Sequence, residues 1–293
     1  MTDQRDFKEY FRAAPAPNWP NGARLAVSCV PKVENGAVLS IADDTLRNES
    51  NYEIREEVFD HPDPYMETHF THGTHQGYGR IAKAFDRFGG TATFSTCGHA
   101  AEGSPWLLQD AVARGHVMSC HRGRWERQAE MPIAEEQAMI AKTHTAIART
   151  FGVTPVGWHT RSVPSMNTRD LLCAHGGFDY DSDVYDDDTP RIHNRQHAIL
   201  PDAFDTNDMQ FSPGGGFVQS YDFSDYGIGA FERLYAEGSE TARMMFTGLH
   251  LRLIGRPVQI AGLESVREHI SAKPKIWSAQ IRQIPAYWRA ASS

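Results

Sequence analysis

The sequence predicts an α/β fold, a closed or nearly closed (β/α) barrel around one parallel sheet. Three observations carry this. Short apolar, β-rich runs alternate with amphipathic helical stretches along the chain, as parallel strands do with crossover helices. The length of 293 residues suits such a barrel as one domain. Polar residues also gather just after the apolar runs, where α/β barrels keep their active sites: Glu34, His121, His159, Arg161, Asp181, Asp183, Asp208 and His250.

Residues 1–22 are polar and rich in proline, and are expected to form an irregular arm; residues 23–293 form a single catalytic barrel domain. Leu25 to Val30 reads as the first buried strand and runs into Glu34-Asn35-Gly36. Residues 37–65 are acidic and irregular, an expected surface insertion over a site. A helix is expected to begin within Thr74 to Gly79, because Ile81, Ala84, Phe85 and Phe88 then share a face, with Gly89-Gly90 as its stop. Thr91 to Thr96 is the next strand.

Trp106 to Arg114 reads as a short helix capped by Gly115, and Val117 to Cys120 as a strand delivering His121. Pro132 to Thr150 is a long helix, followed by the strand Val156-Gly157-Trp158 before His159-Thr160-Arg161. A helix from Asn167 to His175 stops at Gly176-Gly177, and Phe178-Asp179-Tyr180 leads into Asp181-Ser182-Asp183. Ala198-Ile199-Leu200-Pro201 precedes Asp205-Thr206-Asn207-Asp208. A helix over Phe223 to Glu237 precedes the strand Met244 to Leu249, which delivers His250. Pro257 to Ser271 is an amphipathic helix with Pro257 near its first turn, and Ile276-Trp277-Ser278 is a last strand.

Composition narrows the partners. A formal charge of −8 and a pI near 5.9, with no basic tract, argue against nucleic acid or an anionic membrane surface. No apolar run is long enough to span a bilayer, and the first ten residues lack the apolar core of a signal peptide, so a cytoplasmic enzyme is expected. Cys29, Cys97, Cys120 and Cys173 are scattered without Cys-x-x-Cys spacing and read as reduced core residues. The aromatic run Trp277…Tyr287-Trp288 near the C-terminus reads as packing on a neighbouring subunit or on the chain's own barrel, and a homo-oligomer is expected.

The order of several motifs then becomes specific. Glu34-Asn35-Gly36, Gly115-His116…His121-x-x-x-Trp125, Tyr180-Asp181-Ser182-Asp183-Val184-Tyr185 and Gly248-Leu249-His250 through Pro257 together resemble the polysaccharide-deacetylase superfamily. The resemblance is to its branch of small cyclic amide hydrolases, the metal-independent allantoinases and cyclic imide hydrolases, and runs from about Trp19 to the C-terminus. It implies a distorted (β/α) barrel of the polysaccharide-deacetylase type.

The departures from that pattern bear on metal. Members that act as deacetylases use Asp-Asp-Gly after the first strand and a His-x-x-x-His pair; here Glu34, Asn35, His121 and Trp125 stand at those positions. Only His121 remains of the implied ligands, since a carboxamide is a poor zinc ligand and an indole none. Where allantoinase-like members carry Glu-Tyr-Gly-Ser-Arg, this chain has Thr71-His72-Gly73-Thr74-His75, preceded by His69. His69, His72 and His75 have helical spacing. Three readings stand open: with His121 they hold one divalent metal such as zinc, they contact substrate, or they are partly solvated; metal-independent catalysis stays open as well.

The resemblance implies Glu34 as the base, its pKa raised by burial, and His250 as the donor to the leaving nitrogen. Arg161 is a candidate donor to the carbonyl oxygen, and Asp181 is implied as its ion-pair partner. Trp125 is read as a flat wall against a planar ring, or as core packing. Asn35, Asn207, Asp208 and His159 are candidate substrate contacts, and Asp186-Asp187-Asp188 a solvated acidic turn. The expected activity is hydrolysis of a cyclic imide C–N bond. The alternatives are allantoinase, polysaccharide deacetylase, and an inactive member that binds a small ring.

Overall fold

The computed structural model describes residues 19–49 and 56–291; the arm expected over residues 1–22 lies outside that range up to residue 18. β1 (Leu25–Val33) is buried along its whole length. α1 (Pro64–His72) starts ten residues earlier than Thr74, the first position expected for a helix start. Its signal is Asp63-Pro64: the Asp63 carboxylate accepts the amides of Tyr65 and Met66 at 2.9 and 3.1 Å, and Pro64 occupies the first turn. A π-helical turn, Gly73–Gly77, joins α1 to α2 (Tyr78–Phe88). The glycines there permit close approach, since a Cβ on Gly77 would lie 2.1 Å from the Leu251 carbonyl oxygen.

β2 (Thr93–Thr96) runs directly into α3 (Gly98–Gly103), a helix absent from the sequence reading, and then α4 (Pro105–Ala113). β3 (Val117–Cys120), α5 (Ile133–Phe151), β4 (Gly157–Trp158), α6 (Thr168–His175) and β5 (Tyr180–Asp181) follow. β6 (Arg191–Ile192) is an unexpected strand that pairs antiparallel with β7 (Ala198–Ile199). α7 (Ser220–Glu237), β8 (Arg243–His250), α8 (Ile260–Ser271), β9 (Ile276–Ser278) and α9 (Gln283–Ala291) complete the chain. Pro257 lies in the turns just before α8, which begins three residues later than the sequence suggests.

The nine strands among the described residues form one sheet in the order β6-β7-β5-β4-β3-β2-β1-β8, with β9 added to β1; every pairing except β6 with β7 is parallel. The sheet curls until irregular segments reach β8: Met244 N donates to Asp188 O at 2.9 Å and Gly248 N to Thr206 O at 3.1 Å. The result is the distorted barrel that the motifs implied. β1 and β8 pair over their full length, with Lys32 opposite His250, so their ends deliver Glu34 and His250 to one place.

The C-terminal aromatics pack on the chain itself. Trp19 lies 5.5 Å from Trp277 and 5.3 Å from Trp288, ring centre to ring centre, and both Trp19 and Trp288 are buried. This occupies the aromatic face that suggested a subunit contact. All four cysteines are free thiols. Among the described residues no helix is long and apolar enough to cross a membrane.

Candidate active site

At the C-terminal ends of the strands lies a cavity of about 460 Å³, lined among others by Lys32, Glu34, His121, Trp125, His159, Arg161, Asp202, Asn207, His250 and Arg252. Glu34 is its centre and is only 4% exposed. Arg252 Nη1 donates to Glu34 Oε2 in a short, buried contact. His121 Nε2 stands 3.4 Å from Glu34 Oε1, and His250 Nε2 stands 4.0 Å from Glu34 Oε2.

The other nitrogen of each imidazole is committed. His121 Nδ1–H donates to the His159 carbonyl at 2.9 Å. His250 Nδ1–H donates to Asp208 Oδ1 at 2.6 Å, while Asp208 Oδ2 accepts the amides of His250 and Ile254 at 2.7 and 3.0 Å. Carbonyl and carboxylate oxygens only accept, so in the neutral form of either ring Nε2 presents its lone pair towards Glu34. Three acceptors therefore converge on one gap.

Electrostatics corrects one expectation. Burial alone would raise the Glu34 pKa, but the Arg252 guanidinium and the neighbouring imidazoles outweigh it and hold the carboxyl well below its usual value. Glu34 is thus an ionised anchor and a weak base. Burial pushes His121 down to about 4, so its ring is neutral.

A second trio lies beside the first. Lys32 is two residues before Glu34 and so points to the same side of the strand. Its Nζ donates to His159 Nδ1 in a short contact, and His159 Nε2 stands 3.2 Å from Asp202 Oδ2. Lys32 Nζ is 3.8 Å from the same carboxylate oxygen. Burial lowers the Lys32 pKa, holds His159 well below its usual value and raises Asp202.

Several sequence assignments fall elsewhere. Asp181 does not pair with Arg161; it accepts Arg169 Nε and Nη2 at 2.8 and 2.9 Å and lies 2.8 Å from His197 Nε2. Asp183 instead holds the loop, accepting Thr160 N and Oγ1 at 2.6 and 2.7 Å. Asp208 is fully buried behind His250 and reads no substrate edge. Asn35 alternates away from Glu34 and donates to Ser104 Oγ at 2.9 Å, outside this cavity. Trp125 lines the cavity, but its face carries the Arg161 guanidinium, 3.5 Å from the ring centre, so it is no bare wall for a planar ring.

His69, His72 and His75 do not join His121. They lie on α1 and the π turn, none lines the cavity, and His69 Nδ1 meets Arg256 Nη2 at 2.9 Å. Among the described residues no group of three or more His, Cys, Asp or Glu side chains is placed to hold a metal ion. Glu34 is already paired with Arg252, Asp208 is spent on His250 Nδ1, and Asp202 lies against His159 and Lys32. This donor set does not fit a divalent ion, which needs its carboxylate and imidazoles free to converge.

Sequence reasoning passed over Lys32, Asp202 and Arg252. The signals were there: a lysine inside an apolar strand at the alternation of Glu34, an arginine two residues after His250, and an aspartate just after a buried run. Charge alone, without the curl of the sheet, did not show that they converge.

No family model matches the chain. A Schizosaccharomyces pombe protein named "Putative polysaccharide deacetylase" is 32% identical over 303 residues, spanning 93% of this chain and 92% of that one. The crystal structure of "Puue Allantoinase" superposes with a TM-score of 0.93 and 32% identity, covering 99% of this chain and 98% of the other. A "probable Polysaccharide deacetylase" from Pseudomonas aeruginosa PAO1 gives 0.92 and 32%, covering 98% of each chain. With its motifs, its barrel and these relatives in agreement, the chain belongs to the polysaccharide deacetylase-like superfamily of hydrolases.

Proposed function

We propose that the chain hydrolyses a C–N bond of a small cyclic amide, a cyclic imide or ureide, by direct attack of water. The observation that carries this reading is the convergence of Glu34, His121 Nε2 and His250 Nε2, all acceptors, on a gap that a hydrogen-bond donor fills. A water there turns its O–H groups to the acceptors and its lone pair to the substrate.

His250 takes the proton as the water oxygen bonds to the ring carbonyl carbon, and Asp208 and ionised Glu34 stabilise the imidazolium. Arg252 supplies positive charge, and Lys32 a further N–H donor, beside the carbonyl oxygen as it becomes anionic. The C–N bond then breaks, His250 returns its proton to the leaving nitrogen, and the product carries a new carboxyl group. No step runs through a metal, because the donor set does not fit one.

The ring comes from the allantoinase neighbour and from a cavity whose size suits a small molecule. His72 and His75, which stand where allantoinase-like members carry tyrosine and arginine, do not line the cavity, so imide and ureide are taken together. The test incubates purified protein with succinimide, hydantoin, allantoin and N,N′-diacetylchitobiose, and follows ring opening and acetate release. Opening of at least one ring with no acetate release is expected; acetate release with every ring intact sinks the reading in favour of a deacetylase.

A further inference from the structure

Arg161 is built into the cavity wall in a way that hydrolysis of a neutral ring does not require. Thr160 is clamped by Asp183 through its backbone N–H and hydroxyl, and its neighbours His159 and Arg161 line the cavity with it. The Arg161 carbonyl accepts Arg122 Nη1 at 3.1 Å, which ties down the backbone. The guanidinium lies on Trp125, 3.5 Å from the ring centre, a stack that fixes its plane.

Its N–H groups have no acceptor within hydrogen-bond distance among the described residues. Glu49 approaches only to 3.9 Å, and the side chain is 22% exposed. A buried N–H without an acceptor costs free energy that a ligand oxygen recovers.

We propose that the ring substrate carries a carboxylate, received by the Arg161 guanidinium. A guanidinium held in plane matches the two oxygens of a carboxylate with two parallel hydrogen bonds, which neither a carbonyl nor a hydroxyl can accept in the same way. The substrate class is thus an acidic cyclic amide, bound through Arg161 while Glu34 and His250 face the scissile carbonyl. This assignment rests on the proposed ring hydrolysis for its ring and on Arg161, held by its stack on Trp125, for its charge.

The probes are hydantoin-5-acetate and hydantoin-5-acetamide, one acidic and one neutral on the same ring. Affinity is measured by titration calorimetry and ring opening by product chromatography, with circular dichroism to check that each variant is folded. The wild type is expected to favour the acid by at least about tenfold, Arg161→Gln to bring the ratio near one, and Arg161→Lys to fall between. Equal affinity for acid and amide in the wild type overturns the inference, as do binding of neither and a preference that survives Arg161→Gln. If both rings open without preference, the acidic-substrate assignment falls and the ring hydrolysis stands. If the acid binds through Arg161 but neither ring opens, the charge assignment stands and the ring hydrolysis falls.

Discussion

Asp208 grips His250 twice, through its backbone amide at 2.7 Å and its ring Nδ1–H at 2.6 Å. One carboxylate thereby fixes both the position of the strand end and the tautomer of the imidazole, and Nε2 is left to face Glu34 across 4.0 Å. An aspartate behind a histidine does more than orient it, because it also stabilises the imidazolium that forms when water gives up its proton.

Asp208→Asn keeps the shape and removes the charge. Turnover of whichever ring the wild type opens should fall by about 10²–10⁴-fold, with a much smaller change in KM. Steady-state kinetics check this, and a variant within a few fold of wild type would remove His250 from the proton transfer.

The contact between Arg252 and Glu34 is buried on both sides. Arg252→Met leaves the carboxylate without its main compensating charge and should cost about 3–5 kcal/mol at neutral pH, read from urea melts. The folded pKa of Glu34 is depressed, so the stability it contributes is fully present above the ordinary value of 4.5 and is lost as pH falls through the folded value. The variant and wild type should therefore converge in acid; a deficit that does not shrink would mean that the arginine acts through packing instead.

His121 shows a different pH dependence. Its pKa is lowered from 6.5 to about 4, so on acidification the unfolded chain binds the proton first. Stability from this residue is fully present above pH 6.5 and is lost as pH falls towards 4, on the order of 3 kcal/mol in all. His121→Gln should flatten that part of the stability–pH curve. An unchanged slope would show that other groups set it.

Exhaustive chelation should leave ring opening unchanged, and elemental analysis should find no stoichiometric zinc. One zinc per chain, lost together with activity, would show that the imidazoles regroup around a metal and would replace the direct attack of water.

Asp181 offers a control. Its carboxylate holds Arg169 and His197 and does not line the cavity. Asp181→Asn should lower the urea midpoint while kcat stays close to wild type, whereas equal losses in kcat and stability would tie this network to the chemistry.

Much of the fold was legible because the signals were local. Val117 to Cys120 is a β-rich apolar run after a glycine, and the strand has those bounds. α5 begins one residue past Pro132 and ends at a left-handed Gly152. The start of α1 was misplaced because the amphipathic face of α2 was the louder signal, while the true start was marked by Asp63-Pro64. β6 and α3 are too short for any periodicity to reveal.

By itself, the sequence determined the alternation of strands and helices, and it placed Glu34, His121, His159 and His250 at strand ends, because period and position along a strand are local properties. Only the tertiary structure decided which charges face which. Arg252 comes to Glu34 because β1 and β8 pair in register, Asp208 falls behind His250 because a bridge ties Asn207 to Gly248, and Asp181 goes to Arg169 instead of Arg161. These pairings join residues up to 218 positions apart. Electrostatic partnership depends on distance in space, which the curl of the sheet sets and the order of residues does not display.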